Sequence, residues 1–523
     1  MDYLNLSRAQ DLKNSKEKIL YRFFEILPGF FSWATLAGVF ILSWLAPVVV
    51  AIFIIIFATY WLLKVIYLSC HQIASFLQMK KNLKTNWLEK LSNLTNWTNV
   101  YHLIILPVHK EGIEVVRPTV QSLVDSEYPK ERMIVVLATE ETGHLETSEV
   151  AKKIQREFEK KFFQFLVTCH PRDIAGEIAG RGSNLAWAVN QTRDLISQLG
   201  IAQKNIIVSV FDIDTRPHPQ YFACLTYYYL TAKNPFKSSY QPIPVYNNNI
   251  WDAPAFSRVI ATSGTFWQMM QQEKPEQLVS YSSHSLSLKT LEEVGYPRTV
   301  VSDDSRIFWK SYLAYNGDYR VVPLHYPVSM DAVLAKNFFR TVINQYKQQR
   351  RWAWGAENIP YLLFNFFKTS PTSKNGGAGK KISLFEKFRH TFIIFEGFWS
   401  WATAALLIFF LGWLPLVLGG EKFNITLLSY NLPKLTSILM TLAMVGMLVS
   451  AVISFLLLPP RPTPHHSWWG AKLKNLSMFF QWFLLPITLI FFGAFPALDA
   501  QTRLMLGKPL GFWVTEKARK TKD

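Results

Sequence analysis

An uncharged stretch near the N-terminus restricts the possible fold more than any other feature. No charged side chain occurs from Ile26 to Leu63, a run of 38 residues. One bilayer crossing takes about 20 apolar residues, so the run predicts two membrane helices with a turn near Ala46-Pro47. Lysine and arginine lie on both outer flanks and are missing from the turn, which by the positive-inside rule places both flanks in the cytosol. We expect a cytosolic flank over residues 1–25, a hairpin over 26–69 and a cytosolic chain after it.

Three further apolar stretches follow in the C-terminal part of the chain. They lie at about 392–418, 435–458 and 476–497. Each is long enough to cross a bilayer, so residues 391–498 are assigned about three membrane segments. Three simple crossings would leave the basic tail, residues 499–523, outside the cytosol, against the positive-inside rule. Pro486 and Pro496 suggest that the last segment is re-entrant or divided.

The composition narrows the classes of function. A formal net charge of +18 suits the basic flanks of membrane helices, contact with anionic lipids or a polyphosphate ligand. Nucleic acid is not an expected partner, because no basic motif with a known groove-reading geometry occurs. The three cysteines are scattered and predict neither a disulfide framework nor a zinc site.

Between about 95 and 335 the chain alternates short apolar strands with polar helical stretches, which is typical of an α/β domain. Strands are predicted at 101–106, 132–138, 163–169 and 206–211. The glycines at 176–182 fit neither a Walker A loop nor a dinucleotide fingerprint; we expect a flexible loop whose Arg181 faces a phosphate, then a helix from Asn184. Residues 336–390 predict amphipathic helices along the membrane surface and a flexible linker.

The strand at 206–211 runs into Asp212 and Asp214, at the carboxyl end where open α/β sheets bind ligands. Residues two apart on an extended chain face the same way, so both carboxylates could reach one Mg²⁺ or Mn²⁺ ion. Such an ion neutralises a diphosphate leaving group. The alternative interpretation of this pair alone is an acidic turn without chemistry.

Two later clusters also suggest chemistry. Asp303 and Asp304 supply one carboxylate to hold a partner and one to accept a proton from a sugar hydroxyl; a helix N-terminus that favours acidic residues is the alternative. Arg351 offers fixed donors for diphosphate oxygens and Trp352 a flat face for a sugar ring. A basic interfacial helix anchored by tryptophan is the alternative there.

Five motifs, in chain order, resemble those of membrane-integrated glycosyltransferases of family 2, the group of cellulose, hyaluronan and chitin synthases. They are Pro107-Val-His-Lys-Glu111 for Pro-x-Tyr-Asn-Glu, Asp212-Ile-Asp214 for Asp-x-Asp, Ser302-Asp-Asp304 for Thr-Glu-Asp, Gln348-Gln-Arg-Arg351-Trp352 for Gln-x-x-Arg-Trp, and Phe512-Trp-Val-Thr-Glu-Lys517 for Phe-x-Val-Thr-x-Lys. The resemblance covers roughly residues 100–360 and the membrane arrangement around them. It implies a Rossmann-like GT-A fold, as in nucleotide-diphospho-sugar transferases, on the cytosolic face of the inner or plasma membrane.

The resemblance also implies roles for the matched residues. Asp304 would be the general base with Asp303 beside it, and Asp214 would ligate Mg²⁺ or Mn²⁺ together with Asp212, which also contacts the nucleotide. The other implied assignments are Pro107, Glu111, Glu140 (or Glu141) and Arg181 for the donor nucleotide, Gln348, Arg351 and Trp352 for the acceptor end and the diphosphate, and Phe512, Val514, Thr515 and Lys517 for a gating-like loop.

Some positions depart from the family pattern. His109, Lys110 and Asp303 replace the usual Tyr, Asn and Glu. Tyr281-Ser-Ser-His284 stands where many members have a glycine-rich segment, which leaves the donor sugar open. We interpret His284 as a buried structural histidine, with a contact to the donor sugar as the alternative.

The resemblance therefore predicts a metal-dependent, inverting glycosyltransferase. It would move a sugar from a nucleotide sugar, UDP-linked by expectation, to a growing polysaccharide that also passes through its membrane helices. The main alternative is non-processive transfer of one sugar to a membrane lipid, because glycolipid-forming relatives share Gln-x-x-Arg-Trp. A silent nucleotide-sensing or transport component is the alternative from another class, and the intact acidic residues argue against it. The expected partners are the nucleotide-sugar donor, a carbohydrate or lipid acceptor, and membrane lipids.

Overall fold

The computed structural model describes residues 3–141, 143, 145–368, 382–460, 476–511, 513, 515 and 519. The linker predicted at 369–381 lies outside these residues, as do three of the four residues assigned to the gating-like loop, Phe512, Val514 and Lys517. Within them, the strands form one sheet in the order β3-β2-β1-β4-β7-β6-β8-β5. The strands are β1 Tyr101–Pro107, β2 Met133–Glu140, β3 Gln164–His170, β4 Ile206–Val210, β5 Arg216–Pro217, β6 Ser238–Val245, β7 His284–Ser287 and β8 Arg320–Ser329.

Helices flank this sheet and continue beyond it at both ends of the chain. The helices of the N-terminal region and the α/β domain are α1 Ser15–Leu45, α2 Pro47–Lys84, α3 Trp87–Ser92, α4 Ile113–Val124, α5 Leu145–Phe158, α6 Arg181–Gln198, α7 Tyr221–Thr231, α8 Ala255–Gln272, α9 Leu288–Val294 and α10 Asp303–Ala314. Those that follow are α11 Phe338–Ala353, α12 Asn358–Phe367, α13 Leu384–Phe409, α14 Leu414–Leu418, α15 Gly420–Asn424, α16 Leu427–Leu456 and the helical run α17 Leu476–Met505.

The strands β3, β2, β1 and β4 are parallel, and β7 runs antiparallel between β4 and β6. The residues 103–106 of β1 and 133–138 of β2 are fully buried, as expected for parallel strands with helices on both faces. One face packs against α4, α5 and α7, and the other against α6 and α9. This mixed sheet with helices on both faces, beside helices that are long and apolar enough to cross a membrane, confirms the predicted combination of an α/β domain with membrane-type helices.

The helix α6 begins earlier than predicted. The sequence placed its start at Asn184, but the structure starts it at Arg181. Gly180 directly before it has a φ of 151°, a backbone conformation that glycine tolerates and other residues avoid. Arg181 is therefore the first residue of a helix and not a member of the flexible loop.

Among the described residues, five helices are long and apolar enough to cross a membrane, α1, α2, α13, α16 and α17. The predicted turn near Ala46 is confirmed, because Ala46 separates α1 from α2. Small residues let these helices approach closely, as is common between membrane helices. A Cβ added at Gly446 of α16 would lie 2.4 Å from Val65 Cγ1 of α2, and one at Gly29 of α1 would lie 2.7 Å from the carbonyl oxygen of Gln501.

The helical run α17 contacts the α/β side of the molecule with both of its ends. Near its start, Gln481 accepts a hydrogen bond of 2.7 Å from Arg258 on α8. Near its end, Asp499 pairs with Arg350 on α11 at 2.8 Å. A simple crossing would take these two ends to opposite sides of a bilayer, so these contacts do not fit one. The run is also irregular, with a 3-10 turn at Gln481–Leu484 and a π-turn at Ile490–Ala494, in line with the prediction of a divided segment.

The helix α12 differs from the prediction of an amphipathic helix on the membrane surface. Most of its side chains are buried, among them Tyr361, Leu362 and Phe364, because it packs between α1, α10 and α13. The helix α11 instead presents exposed Phe338 and Phe339 at its first turn.

Candidate active site

Six elements end around one acidic site, five of them in the α/β domain. The strands β1, β2 and β4 contribute their carboxyl ends, α6 and α10 contribute their N-termini, and α11 contributes its C-terminal turn. The strands β1 and β4 are neighbours although β2 and β3 lie between them in the chain. Such a reversal of strand order is the usual place for a ligand crevice.

Arg181 lies between two acidic groups and joins them. Its Nη1 is 2.7 Å from Asp303 Oδ2, and its Nε is 3.1 Å from Asp212 Oδ1. Burial disfavours the charge on Arg181, but the carboxylates of Asp303 and Asp212 raise its pKa well above the usual value. A cation is therefore fixed between the strand that carries Asp212 and the helix that carries Asp303.

Asp303 and Asp304 are the first two residues of α10, as the interpretation as a helix N-terminus predicts; their catalytic assignment stays a prediction. Asp303 Oδ2 also accepts a hydrogen bond of 2.9 Å from the Tyr296 hydroxyl. Burial raises the pKa of Asp303, although Arg181 opposes the shift. Burial also raises the pKa of Asp304, with the same opposition from Arg181 and a further increase from Asp212. A carboxylate with a raised pKa is a better proton acceptor than an ordinary aspartate.

Asp212 and Asp214 follow β4, but the argument from an extended chain is wrong in detail. The chain turns after Asp212, whose carbonyl oxygen accepts the Thr215 N–H at 2.8 Å. Asp214 is buried and its Oδ2 accepts the backbone N–H of Asp331 at 2.9 Å, while Asp212 accepts a hydrogen bond from Ser282. The turn therefore gives the two carboxylates different protein partners.

The candidate metal ligands of this site are the two carboxylates of Asp212 and Asp214. No group of three or more His, Cys, Asp and Glu side chains suited to a metal occurs in the part of the chain that the structure describes. Asp212 and Asp214 nevertheless supply oxygen ligands of the kind that Mg²⁺ takes in ones or twos, with water and substrate phosphates completing the shell. The residues present thus fit an ion that arrives with a phosphorylated substrate.

Arg351 and Trp352 lie at the same site. Burial lowers the pKa of Arg351, the charge of Asp212 opposes this shift, and Asp304 also opposes it, which locates the guanidinium near both carboxylates. The ring of Trp352 lies 6.3 Å from that of Tyr246. Gln348 is one helical turn earlier, where its Oε1 is 3.4 Å from Gln345 Nε2.

The residues at the end of β1 form a closed loop beside this cluster. Pro107 is the last residue of β1 and pairs with Ala138 of β2. Glu111 Oε2 accepts the N–H groups of His109 and Lys110 at 2.8 and 3.1 Å, so this carboxylate fastens its own loop. Glu140, at the end of β2, has its Oε2 3.2 Å from His109 Nδ1. The loop and the strand end thus form one edge of the crevice.

The C-terminal tail returns to the α/β domain. Arg519 Nη2 is 2.8 Å from Asp331 Oδ1, and its Nη1 donates to the carbonyl oxygen of Glu114 at 2.9 Å. Trp513 lies under Lys347 Nζ, 5.1 Å from the ring centre, and Thr515 is buried. The N–H of the same Asp331 donates to Asp214, so Asp331 connects Arg519 of the tail to the acidic pair.

His284 is the first residue of β7 and is fully buried. Its Nδ1 is 2.8 Å from the carbonyl oxygen of Tyr281, and burial lowers its pKa to about 4. A neutral imidazole fixed by a backbone carbonyl agrees with the structural interpretation of this residue.

Several residues of the site were missed from the sequence. Tyr246 follows β6, and its pKa is raised by burial and by the nearby charges of Asp212, Asp214 and Asp304. Glu357 accepts a hydrogen bond from the backbone N–H of Ser302. The backbone N–H of Asp331 donates to the Asp214 carboxylate. No sequence signal marks these positions, because each is brought to the site by packing alone.

Comparisons with known proteins give structural similarities only. No protein-family model and no curated protein sequence matches this chain. A mannosyltransferase from Pyrobaculum calidifontis in complex with GDP-Man and Mn²⁺ is 13% identical with a TM-score of 0.40, over 87% of this chain and 99% of that chain. TarS of S. aureus in complex with UDP-GlcNAc is 12% identical with a TM-score of 0.30, over 68% and 90% of the two chains. Glucosyl-3-phosphoglycerate synthase from Mycobacterium tuberculosis in complex with Mg²⁺ and UDP is 13% identical with a TM-score of 0.31, over 53% and 83%. All three TM-scores are below 0.5, so the fold described above rests on this chain's own strands and contacts.

Proposed function

We propose that this chain is a membrane-integrated glycosyltransferase of family 2 type, which transfers a sugar with inversion from a nucleotide sugar, UDP-linked by expectation, to a growing polysaccharide. The observation that carries the proposal is that four charged residues from separate parts of the chain lie around one crevice. Asp212 and Asp304 come from distant parts of the chain, and Arg181 and Arg351 lie close to both. Two guanidinium groups beside partly exposed carboxylates suit a substrate that carries a diphosphate and presents a hydroxyl for deprotonation.

Each residue contributes a distinct step in this proposal. Asp212 and Asp214 would hold Mg²⁺ or Mn²⁺, which neutralises the diphosphate when bound. Arg351 donates to diphosphate oxygens as the bond to the sugar breaks. Asp304 accepts the proton of the attacking acceptor hydroxyl, and its raised pKa favours that proton transfer. Trp352 and Tyr246 offer aromatic faces for a sugar ring.

The proposed membrane arrangement places the α/β domain in the cytosol. The N-terminal segment lies on this domain, where Leu6 accepts from Arg306 and Leu4 accepts from Tyr361, and the tail contacts it through Arg519. Four crossings, by α1, α2, α13 and α16, leave both chain ends on one side. The basic end of α2 and the basic tail then agree with the positive-inside rule. The polysaccharide would leave through these helices.

The test uses purified protein in lipid with Mg²⁺ or Mn²⁺ and a panel of UDP- and GDP-sugars. Nucleotide release together with a growing carbohydrate of high mass supports the polysaccharide synthase and names the donor. Release with a lipid bearing one sugar would replace it by single transfer to a lipid. No release with any donor would contradict the proposed activity.

Two variants assign the roles. Asp304→Asn should abolish transfer and leave donor binding nearly intact, because the base acts only in the reaction. Asp214→Ala should weaken donor binding in the presence of the metal. Asp318→Asn is the matched control, since Asp318 is exposed and pairs with Lys237 on the surface of the same domain. Near wild-type turnover of Asp304→Asn would refute the assignment of the base.

A further inference from the structure

We propose that Glu357 is a positioning residue for the reaction: it fixes the first turn of α10 and so holds Asp304 in place as the base. This inference rests on the function proposed above and deepens it. Glu357 is the last residue of a 3-10 turn, Trp354–Glu357, which joins α11 directly to α12. It is only 7% exposed, and its carboxylate accepts hydrogen bonds from protein groups.

The carboxylate of Glu357 accepts three hydrogen bonds. Its Oε1 accepts from the backbone N–H of Ser302 at 3.0 Å and from the Ser302 hydroxyl at 2.6 Å. Its Oε2 accepts from the indole N–H of Trp354 at 2.9 Å. Ser302 immediately precedes α10 and is therefore its N-cap residue. Glu357 thus binds the residue directly before Asp303 and Asp304.

This contact changes how the helix α10 is capped. A serine at the N-cap normally accepts a backbone N–H of the first turn with its own oxygen. Here the Ser302 side chain makes no such bond, because its hydroxyl is turned to Glu357. Asp304 Oδ1 accepts the Ser305 N–H at 2.8 Å instead, which orients the carboxylate of the base. Glu357 is therefore coupled to Asp304 through the cap.

A second contact from the next residue reinforces the first. Asn358 Oδ1 accepts from Arg306 Nε at 2.6 Å, and its Nδ2 donates to the Ser305 hydroxyl at 3.0 Å. Glu357 and Asn358 together hold both sides of the first turn of α10. Arg351 lies six residues before Glu357, on the helix that leads into the same turn. The contacts of Glu357 and Asn358 with α10 therefore fix the distance between Arg351, which binds the leaving diphosphate in the proposed function, and the base Asp304. Such preorganisation matters because a displacement of about 1 Å costs on the order of 100-fold in rate.

Glutamine cannot reproduce this arrangement. A carboxylate has two acceptor oxygens, whereas an amide has one oxygen and an NH₂ donor. In Glu357→Gln the NH₂ group must therefore face either the Ser302 N–H or the Trp354 indole N–H. We expect kcat for nucleotide release to fall about 10- to 100-fold, with the Kd for the donor nucleotide unchanged.

The experiment compares full-length variants in lipid by kcat, by donor Kd and by the midpoint of thermal unfolding. Glu25→Gln is the matched control, because Glu25 is about equally buried and its carboxylate binds the Ala9 N–H at 3.2 Å and Arg22 at 2.6 Å instead of the cap of α10; it should lose stability and keep kcat. Ser302→Ala removes only the hydroxyl contact and should lower kcat less. The double variant Ser302→Ala/Glu357→Gln should lose less kcat than the two single losses multiplied together, because both substitutions disrupt the same hydrogen bond between Ser302 and Glu357.

The outcomes separate the two proposals. If the wild type is active and Glu357→Gln has the same kcat, the positioning role is overturned. A loss of donor affinity in Glu357→Gln that parallels its loss of kcat would also overturn it. If Glu357→Gln does not fold, an unchanged kcat in Ser302→Ala overturns it. Absence of transfer by the wild type with every donor would instead refute the proposed function, and the positioning role with it.

Discussion

Replacing Arg181 with methionine would leave Asp303 and Asp212 without the cation that lies between them. The guanidinium is 2.7 Å from one carboxylate and 3.1 Å from the other. At an effective dielectric constant of about 20, each contact corresponds to roughly 5 to 6 kcal/mol of Coulomb attraction. Desolvation of the buried charges offsets most of it, and loss of one partner from a buried ion pair typically costs about 3–5 kcal/mol. We expect Arg181→Met to destabilise the α/β domain by that amount.

The assay is the midpoint of thermal unfolding in detergent or lipid, read from tryptophan fluorescence. A domain of about 200 residues changes its midpoint by about 2–4 °C per kcal/mol, so the expected decrease is roughly 6–20 °C. Arg193→Met is the matched control on the same helix. Arg193 pairs with Glu292 at 2.7 Å, but its side chain is 50% exposed. Exposed pairs contribute about 0–1 kcal/mol, so the control should shift the midpoint by only a few degrees.

The pH dependence gives this prediction a sign. Arg181 lowers the pKa of Asp303 against the effect of burial, so its removal raises that pKa further in the folded state. A folded state that binds more protons than the unfolded one loses stability as the pH rises. The deficit of Arg181→Met should therefore be larger at pH 8 than at pH 5. A midpoint within 2 °C of wild type at pH 8, or a deficit that does not change with pH, would refute the reasoning.

Two further predictions follow from packing and from the site. Gly29→Ala should destabilise the protein by about 1–3 kcal/mol, because the new Cβ would lie 2.7 Å from the Gln501 carbonyl oxygen and 2.8 Å from Met505 Cβ where α1 contacts α17. Gly38→Ala on the same helix is the control, since its Cβ would meet nothing within 4 Å. In the same unfolding assay it should be neutral or stabilising. The rate of nucleotide release should fall as the pH falls, because Asp304 must be deprotonated to act, and since burial raises its pKa from the ordinary 3.8, the loss should begin at a higher pH than for an exposed aspartate; a rate that stays constant down to pH 4 would contradict this.

The sequence by itself determined the elements that depend on local pattern. The uncharged run from Ile26 to Leu63 predicted two apolar helices with a turn near Ala46, because its length matches two crossings and Pro47 is favoured at the first position of a helix; the structure has these two helices. The buried strands were predictable because β-branched runs between polar helices suit a parallel sheet. The acidic pairs were recognisable because their spacing and their position after apolar segments are local features.

Only the tertiary structure decided which of these residues meet. Arg181 was assigned to a phosphate, but the fold places it between Asp212 and Asp303, and no spacing in the chain encodes that distance. The path of α17 was likewise undetermined, because its hydropathy suits a crossing while its contacts with Arg258 and Arg350 hold both ends on one side. Glu357 had no sequence signal, since its carboxylate acquires a role only when α12 packs against α10. Hydropathy and periodicity act along the chain, whereas a site of buried charges depends on groups that are distant in sequence and fixed by packing in three dimensions.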